Sequence, residues 1–110
     1  MTAWIDICAL NDITPDTGIC ALVGEKQVAV FRFGSGDTLY AVSNYDPFGK
    51  ANVLSRGIVG SLGDRPVVAS PLYKQHFDLT SGECLEDDQV SIEHFDVRVS
   101  DGKVEVAVSA

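Results

Sequence analysis

Strand-length apolar runs alternate with clusters of turn-forming residues along nearly the whole chain, and that spacing leaves room for little besides β-structure. Trp4 to Cys8, Ile19 to Val23, Gln27 to Phe33 and Thr38 to Ser43 are rich in β-branched and aromatic residues and read as the first four strands. Pro15-Asp16-Thr17-Gly18, Gly24-Glu25 and Gly34-Ser35-Gly36-Asp37 separate them, so the four are expected to follow one another as hairpins. Pro66 to Ser70 and His76 to Leu79 predict a further hairpin, followed by a tight turn at Thr80-Ser81-Gly82. Phe95 to Val99 and Lys103 to Val108 predict the last one, across Asp101-Gly102, a pair suited to a two-residue turn with both residues left-handed.

Residues 45 to 65 break the period. Pro47, Gly49, Gly57, Gly60 and Gly63 predict a loop of about twenty residues, longer than most connections in a compact domain. Single helical turns are expected near Asn11 to Ile13 and near Lys50 to Leu54. The glycines spaced by three do not lead from a strand into a helix, so they are read as loop glycines and not as a dinucleotide fingerprint.

With 110 residues, 45% of them hydrophobic and 22% charged, the chain is expected to form one domain, residues 1–110, with a core of its own. A net charge of −8 argues against nucleic acid or an anionic membrane as partners. The apolar runs are far below the ~20 residues that span a bilayer. Met1 to Asp6 does not read as a signal peptide, which predicts a cytoplasmic protein. Cys8, Cys20 and Cys84 are an odd, widely spaced set, so no disulfide framework is expected; Cys8 and Cys20 are read as small buried hydrophobes.

Two segments carry the functional reading: Ser43-Asn44-Tyr45-Asp46-Pro47-Phe48, and Ala69-Ser70-Pro71-Leu72-Tyr73-Lys74-Gln75-His76-Phe77-Asp78-Leu79 with Thr80-Ser81-Gly82 after it. In this order they resemble the two ligand loops of a Rieske domain. That family offers Cys-x-His in the first loop and Cys-x-x-His in the second, with both cysteines on one iron and both histidines on the other. Here Asn44 and Asp46 stand at the first pair of positions, and Ser70 and Tyr73 at the second. The two histidines, His76 and His94, have no cysteine two or three positions before them, so no relocated site is expected. His76 is given a structural role, since no nucleophile context surrounds it.

Among Rieske-like chains without ligands, this one is similar to the small subunit of assimilatory NAD(P)H nitrite reductases. The likeness rests on Thr17-Gly18-Ile19-Cys20-Ala21-Leu22-Val23, Leu39-Tyr40-Ala41-Val42-Ser43-Asn44, Leu54-Ser55-Arg56-Gly57-Ile58-Val59-Gly60 and Cys84-Leu85-Glu86-Asp87, together with the segments above. The resemblance implies an all-β, Rieske-like antiparallel β-sandwich with a degenerate cluster-binding subdomain at about residues 44–82. It implies no [2Fe-2S] cluster in this chain, and a large subunit carrying FAD, sirohaem and iron-sulfur centres that reduces nitrite to ammonium. The chain would then support or dock to that large subunit and would not be catalytic alone. The alternatives are a free-standing Rieske-like binding module and a ferredoxin-type component of another oxidoreductase.

Two further expectations concern the loops. By the metal-centred geometry, Asp46 should face Tyr73 and accept its hydroxyl, Asn44 should face Ser70 while satisfying local backbone, and Pro47, Phe48 and Leu72 should fill the vacated volume. Lys50, Arg56, Arg65 and Lys74 reverse the overall charge locally and are either solvated loop charges or a partner-docking face, whereas Glu83, Glu86, Asp87 and Asp88 are read as an exposed acidic loop, with a partner contact as the alternative.

Overall fold

The computed structural model describes residues 2–34 and 36–109, so Met1, Ser35 and Ala110, although part of the expected domain and turn, lie outside the described residues. Its strands are β1 (Thr2–Ala9), β2 (Thr17–Val23), β3 (Lys26–Arg32), β4 (Leu39–Ser43), β5 (Tyr45–Asp46), β6 (Ala51–Asn52), β7 (Ile58–Leu62), β8 (Arg65–Ala69), β9 (His76–Asp78), β10 (His94–Phe95), β11 (Val97–Ser100) and β12 (Lys103–Ser109). Among the described residues the only helical pieces are 3-10 turns at Leu10–Asp12 and Leu54–Arg56.

Strand β3 shows how the layers assemble. Val28, Ala29, Val30 and Phe31 are all buried, as in a strand covered on both faces. Val28 and Val30 point one way and join Ile13, Val23, Ala41, Val104 and Val106. Ala29 and Phe31 point the other way and join Val42, Leu54, Val68, Phe77, Leu79, Cys84 and Ile92. The sheet β10-β4-β3-β2 is therefore packed on one side by the sheet β1-β12-β11 and on the other by the sheet β7-β8-β9. The fold is an antiparallel β-sandwich carrying two small further sheets, β5-β6 and β7-β8-β9, and these sheets with their connections form the subdomain with the two loops.

The hairpins β2–β3, β3–β4, β8–β9 and β11–β12 form as the turn chemistry predicts. At the last, Asp101 and Gly102 both take positive φ, 52° and 74°, the pair of angles that a two-residue turn of this kind requires. Four expectations are corrected. Strand β1 does not form a hairpin with β2; it pairs antiparallel with β12, from Thr2 opposite Ser109 to Ala9 opposite Lys103. Turn residues mark where the chain bends and do not choose the partner strand. Residues 45 to 65 are not one loop, because β5 pairs with β6, β7 pairs with β8, and Gly60 sits within the ladder opposite Val67. The helical turn expected near Lys50 to Leu54 falls later, at Leu54–Arg56, since Ala51–Asn52 is strand. The strand expected from Phe95 to Val99 is divided at Asp96, with β10 beside β4 in one sheet and β11 beside β12 in another.

Candidate functional site

Strand β4 delivers Asn44 to the edge of the subdomain, and the pairing of β5 with β6 holds the segment that follows. Asn44 is buried, and each end of its carboxamide is engaged. Its Oδ1 accepts the Ser55 backbone N–H at 2.7 Å, and its Nδ2 donates to Gln27 Oε1 at 3.2 Å and to Cys20 Sγ at 3.3 Å. One side chain thus ties β2 and β3 to the 3-10 turn at Leu54–Arg56. Asn44 does not hydrogen-bond Ser70, and the backbone group it satisfies lies eleven residues away instead of in its own turn.

Asp46 and Ser70 are the residues that join the two loops. Both are buried, and the Ser70 hydroxyl donates to Asp46 Oδ2. The other carboxylate oxygen of Asp46, Oδ1, accepts the Phe48 N–H at 2.9 Å, and Ser70 Oγ accepts the Leu72 N–H at 3.2 Å. Each acceptor precedes a proline and caps the N–H two residues on, the local bond that short polar side chains make in turns. Gly49 admits the other loop: a Cβ there would lie 2.3 Å from Leu72 Cδ1. Leu72 thus occupies the space that the missing side chain leaves, and Phe48 packs against Phe77 at a ring separation of 6.2 Å.

Tyr73 does not meet Asp46. Its side chain is 64% exposed, while the hydrogen bonds of Asp46 go to Ser70 and Phe48. The metal-centred pairing fails for a simple reason. Two irons would draw residue 46 toward 73 and 44 toward 70, whereas without metal the pairing follows side-chain reach, and the short Ser70 hydroxyl lies beside the carboxylate.

The lower part of the second loop is fastened by two carboxylates. Asp78 Oδ1 accepts the Thr80 N–H and hydroxyl at 2.7 and 2.6 Å, and Asp78 Oδ2 accepts Arg65 Nε at 2.6 Å. Burial works against its charge, yet the Thr80 hydroxyl, the Arg65 guanidinium and the Thr80 and Ser81 N–H groups hold its carboxyl below the usual range. Glu86 accepts the His76 N–H at 2.7 Å and contacts His76 Nδ1 at 2.6 Å. Partial burial opposes its charge as well, and the His76 backbone and ring together hold it below the usual range. His76 has the structural role expected of it. The acidic run is exposed at Glu83, Glu86 and Asp88, as expected, and two of its carboxylates are paired there, Glu83 with Arg65 at 3.0 Å and Glu86 with His76.

Of the four cations read as a docking face, Arg65 is committed to Asp78 and Glu83. Lys50, Arg56 and Lys74 are exposed, and none has a side-chain ion pair or hydrogen bond among the described residues. Cys20 is exposed, contrary to its reading as a buried hydrophobe, because β2 is the outer strand of its sheet. Cys8 is half-buried and Cys84 buried, and all three are free thiols.

A [2Fe-2S] cluster needs four thiolate or imidazole donors converging from the two loops. The four positions offer a carboxamide whose two ends are engaged, a carboxylate and a hydroxyl bonded to each other, and an outward-facing phenol. Burial also pushes the Cys84 thiol up, away from the thiolate that binds iron. This donor set does not fit the cluster. Sequence reasoning missed Gln27, Cys20 and Ser55 as partners of Asn44, and the contact of Leu72 with Gly49. One signal was present: Asp46-Pro47-Phe48-Gly49-Lys50 and Ser70-Pro71-Leu72-Tyr73-Lys74 repeat an acceptor-Pro-apolar-x-Lys pattern.

The family of Rieske-like [2Fe-2S] domains matches residues 3–107. The chain is 49% identical to the nitrite reductase (NADH) small subunit of Escherichia coli strain K12 over 106 residues, covering 96% of this chain and 98% of that one. The crystal structure of a putative NADH-dependent nitrite reductase small subunit from Mycobacterium tuberculosis superimposes with a TM-score of 0.94 at 42% identity, covering 100% and 98% of the two chains. The chain is also 45% identical, over 101 residues, to part of the nitrite reductase [NAD(P)H] large subunit of Klebsiella oxytoca, covering 92% of this chain and 10% of that longer one.

Proposed function

The chain belongs to the Rieske-like [2Fe-2S] domain family, and from that membership we propose that it acts as a cluster-free small subunit of an NAD(P)H-dependent nitrite reductase, docking to the large subunit. The observation that carries this reading is the hydrogen bond between Asp46 and Ser70, which closes the two ligand loops with side chains where a redox protein of this family would use metal. Likeness to a small subunit, and to a stretch within a large-subunit chain, supports the large subunit as partner.

In this reading residues 1–110 act as one domain, and the complex reduces nitrite to ammonium in nitrate assimilation. FAD, sirohaem and iron-sulfur centres reside on the large subunit, and this chain supplies no electron carrier. A cytoplasmic setting is supported by the three free thiols, one of them exposed, which an oxidising compartment would not preserve. No helix among the described residues is long and apolar enough to cross a membrane.

Co-expression with the large subunit tests the proposal. NAD(P)H-linked nitrite reduction should fall by about tenfold or more when this chain is left out, equivalent to about 1.4 kcal/mol or more in the barrier or in assembly. Equal activity with and without the chain would dismiss the assignment.

A further inference from the structure

Asp46 to Lys50 and Ser70 to Lys74 are one turn made twice. In each, the first residue caps the N–H of the third, a proline comes second, and the fifth residue is a lysine whose N–H returns to the first carbonyl, at 2.7 Å for Lys50 and 3.1 Å for Lys74. Both lysines adopt left-handed backbone, with φ of 54° and 64°. Residues other than glycine, asparagine and aspartate rarely do so, at a cost of roughly 1–2 kcal/mol each. The Asp46–Ser70 bond and the seat of Leu72 against Gly49 join the two copies into one tip.

The tip shows a combination of side chains that water alone does not favour. Leu72 is 47% exposed and Tyr73 64%. Lys50 and Lys74 flank them, both exposed and without an ion pair among the described residues, on a chain whose net charge is −8. An apolar centre with cations at its edge is the arrangement of a docking patch, in which buried anchors slow dissociation and rim charges select and steer the partner.

We propose that this double turn is the surface by which the chain docks to the large subunit of nitrite reductase, Leu72 and Tyr73 entering an apolar depression and Lys50 and Lys74 meeting carboxylates around it. This rests on the small-subunit reading given above. Sign decides the type of partner: two cations without ion pairs among the described residues, at the tip of an acidic protein, select an acidic surface, and a second copy of this chain, with 16 acidic against 8 basic side chains, would bring its own net charge of −8 against the first copy's. Arg65, bound to Asp78 and Glu83, fastens the subdomain behind the tip instead of joining it.

The test uses the purified large subunit and measures association and dissociation rates across ionic strength. Lys50→Asn with Lys74→Asn removes both charges while keeping a residue that tolerates left-handed backbone. Association should be about tenfold slower, with a flatter dependence on salt. Leu72→Ser with Tyr73→Ser should speed dissociation by about tenfold or more. Leu22→Ser and Lys103→Asn, exposed positions elsewhere, should leave both rates unchanged, and thermal unfolding of every variant reports its folding. If the wild-type chain binds and both tip variants bind equally well, or if only the controls weaken binding, the tip is not the docking surface although the subunit assignment stands. If the folded wild-type chain does not bind the large subunit at all, the subunit assignment fails first.

Discussion

Replacing Asp46 with alanine will lower the free energy of unfolding by about 2–4 kcal/mol, because it strands two donors inside the protein. The Phe48 N–H and the Ser70 hydroxyl both rely on this carboxylate, and Asp46 has no solvent exposure. Ser70→Ala removes one of these bonds and the acceptor of the Leu72 N–H, a residue half open to water, but leaves the carboxylate its contact with Phe48, so the expected loss is about 1–2 kcal/mol. Tyr73→Phe separates this account from the metal-like pairing of Asp46 with Tyr73. The exposed hydroxyl has nothing to lose, so its removal should change stability by less than about 0.5 kcal/mol. Urea unfolding of the three variants checks the order, and a Tyr73→Phe loss as large as that of Ser70→Ala would restore the pairing that the geometry rejects.

Asp78→Ala should cost about 3 kcal/mol, since a buried carboxylate that serves Thr80, Ser81 and Arg65 leaves all of these groups behind. It will also change the dependence on pH. The folded carboxyls of Asp78 and Glu86 are held below their ordinary values, so the stability they contribute is present above the unfolded pKa of about 4 and is lost as pH falls through the lower folded values. Below about pH 4 the wild-type chain should therefore lose stability more steeply than Asp78→Ala, and the two curves should converge. Parallel curves down to the acid limit would mean that Asp78 carries no depressed titration.

How much of this could be read from the residues depends on which physical constraint decided each feature. The strands β2, β3 and β12 were legible because period, β-branched content and flanking turns agree, and the Asp101-Gly102 turn was legible from the backbone angles it demands. Strand β7 was not, because Gly57, Gly60 and Gly63 look like breaks in a period, although Gly60 lies within a ladder whose order comes from β8 beside it. The partner of β1 was equally hidden, since Trp4 to Cys8 carries nothing that distinguishes β2 from a strand almost a hundred residues later.

At the site, Ser70 and Tyr73 could be located from the flanking Pro71, Phe77-Asp78-Leu79 and Gly82, and Asn44 and Asp46 from the segment Ser43 to Phe48, but the partners of all four could not. Pairing 46 with 73 and 44 with 70 assumes that metal still sets the geometry. Once it does not, the reach of a serine hydroxyl and the supply of nearby donors decide, and Asn44 turns to Gln27, Cys20 and Ser55. Its partners come from three separate elements of the fold, which no local pattern around Asn44 announces.

On the proposed reading, side chains hold these two loops together where a cluster would otherwise do so. Iron and acid-labile sulfide analysis of the chain, purified without chelators after expression with ample iron supply, tests it most directly. The expected result is a colourless protein with iron and sulfide far below stoichiometric amounts and fully cooperative unfolding. Two irons and two sulfides per folded chain, with visible absorption that bleaches in part on reduction and is lost on chelation of the iron, would contradict it.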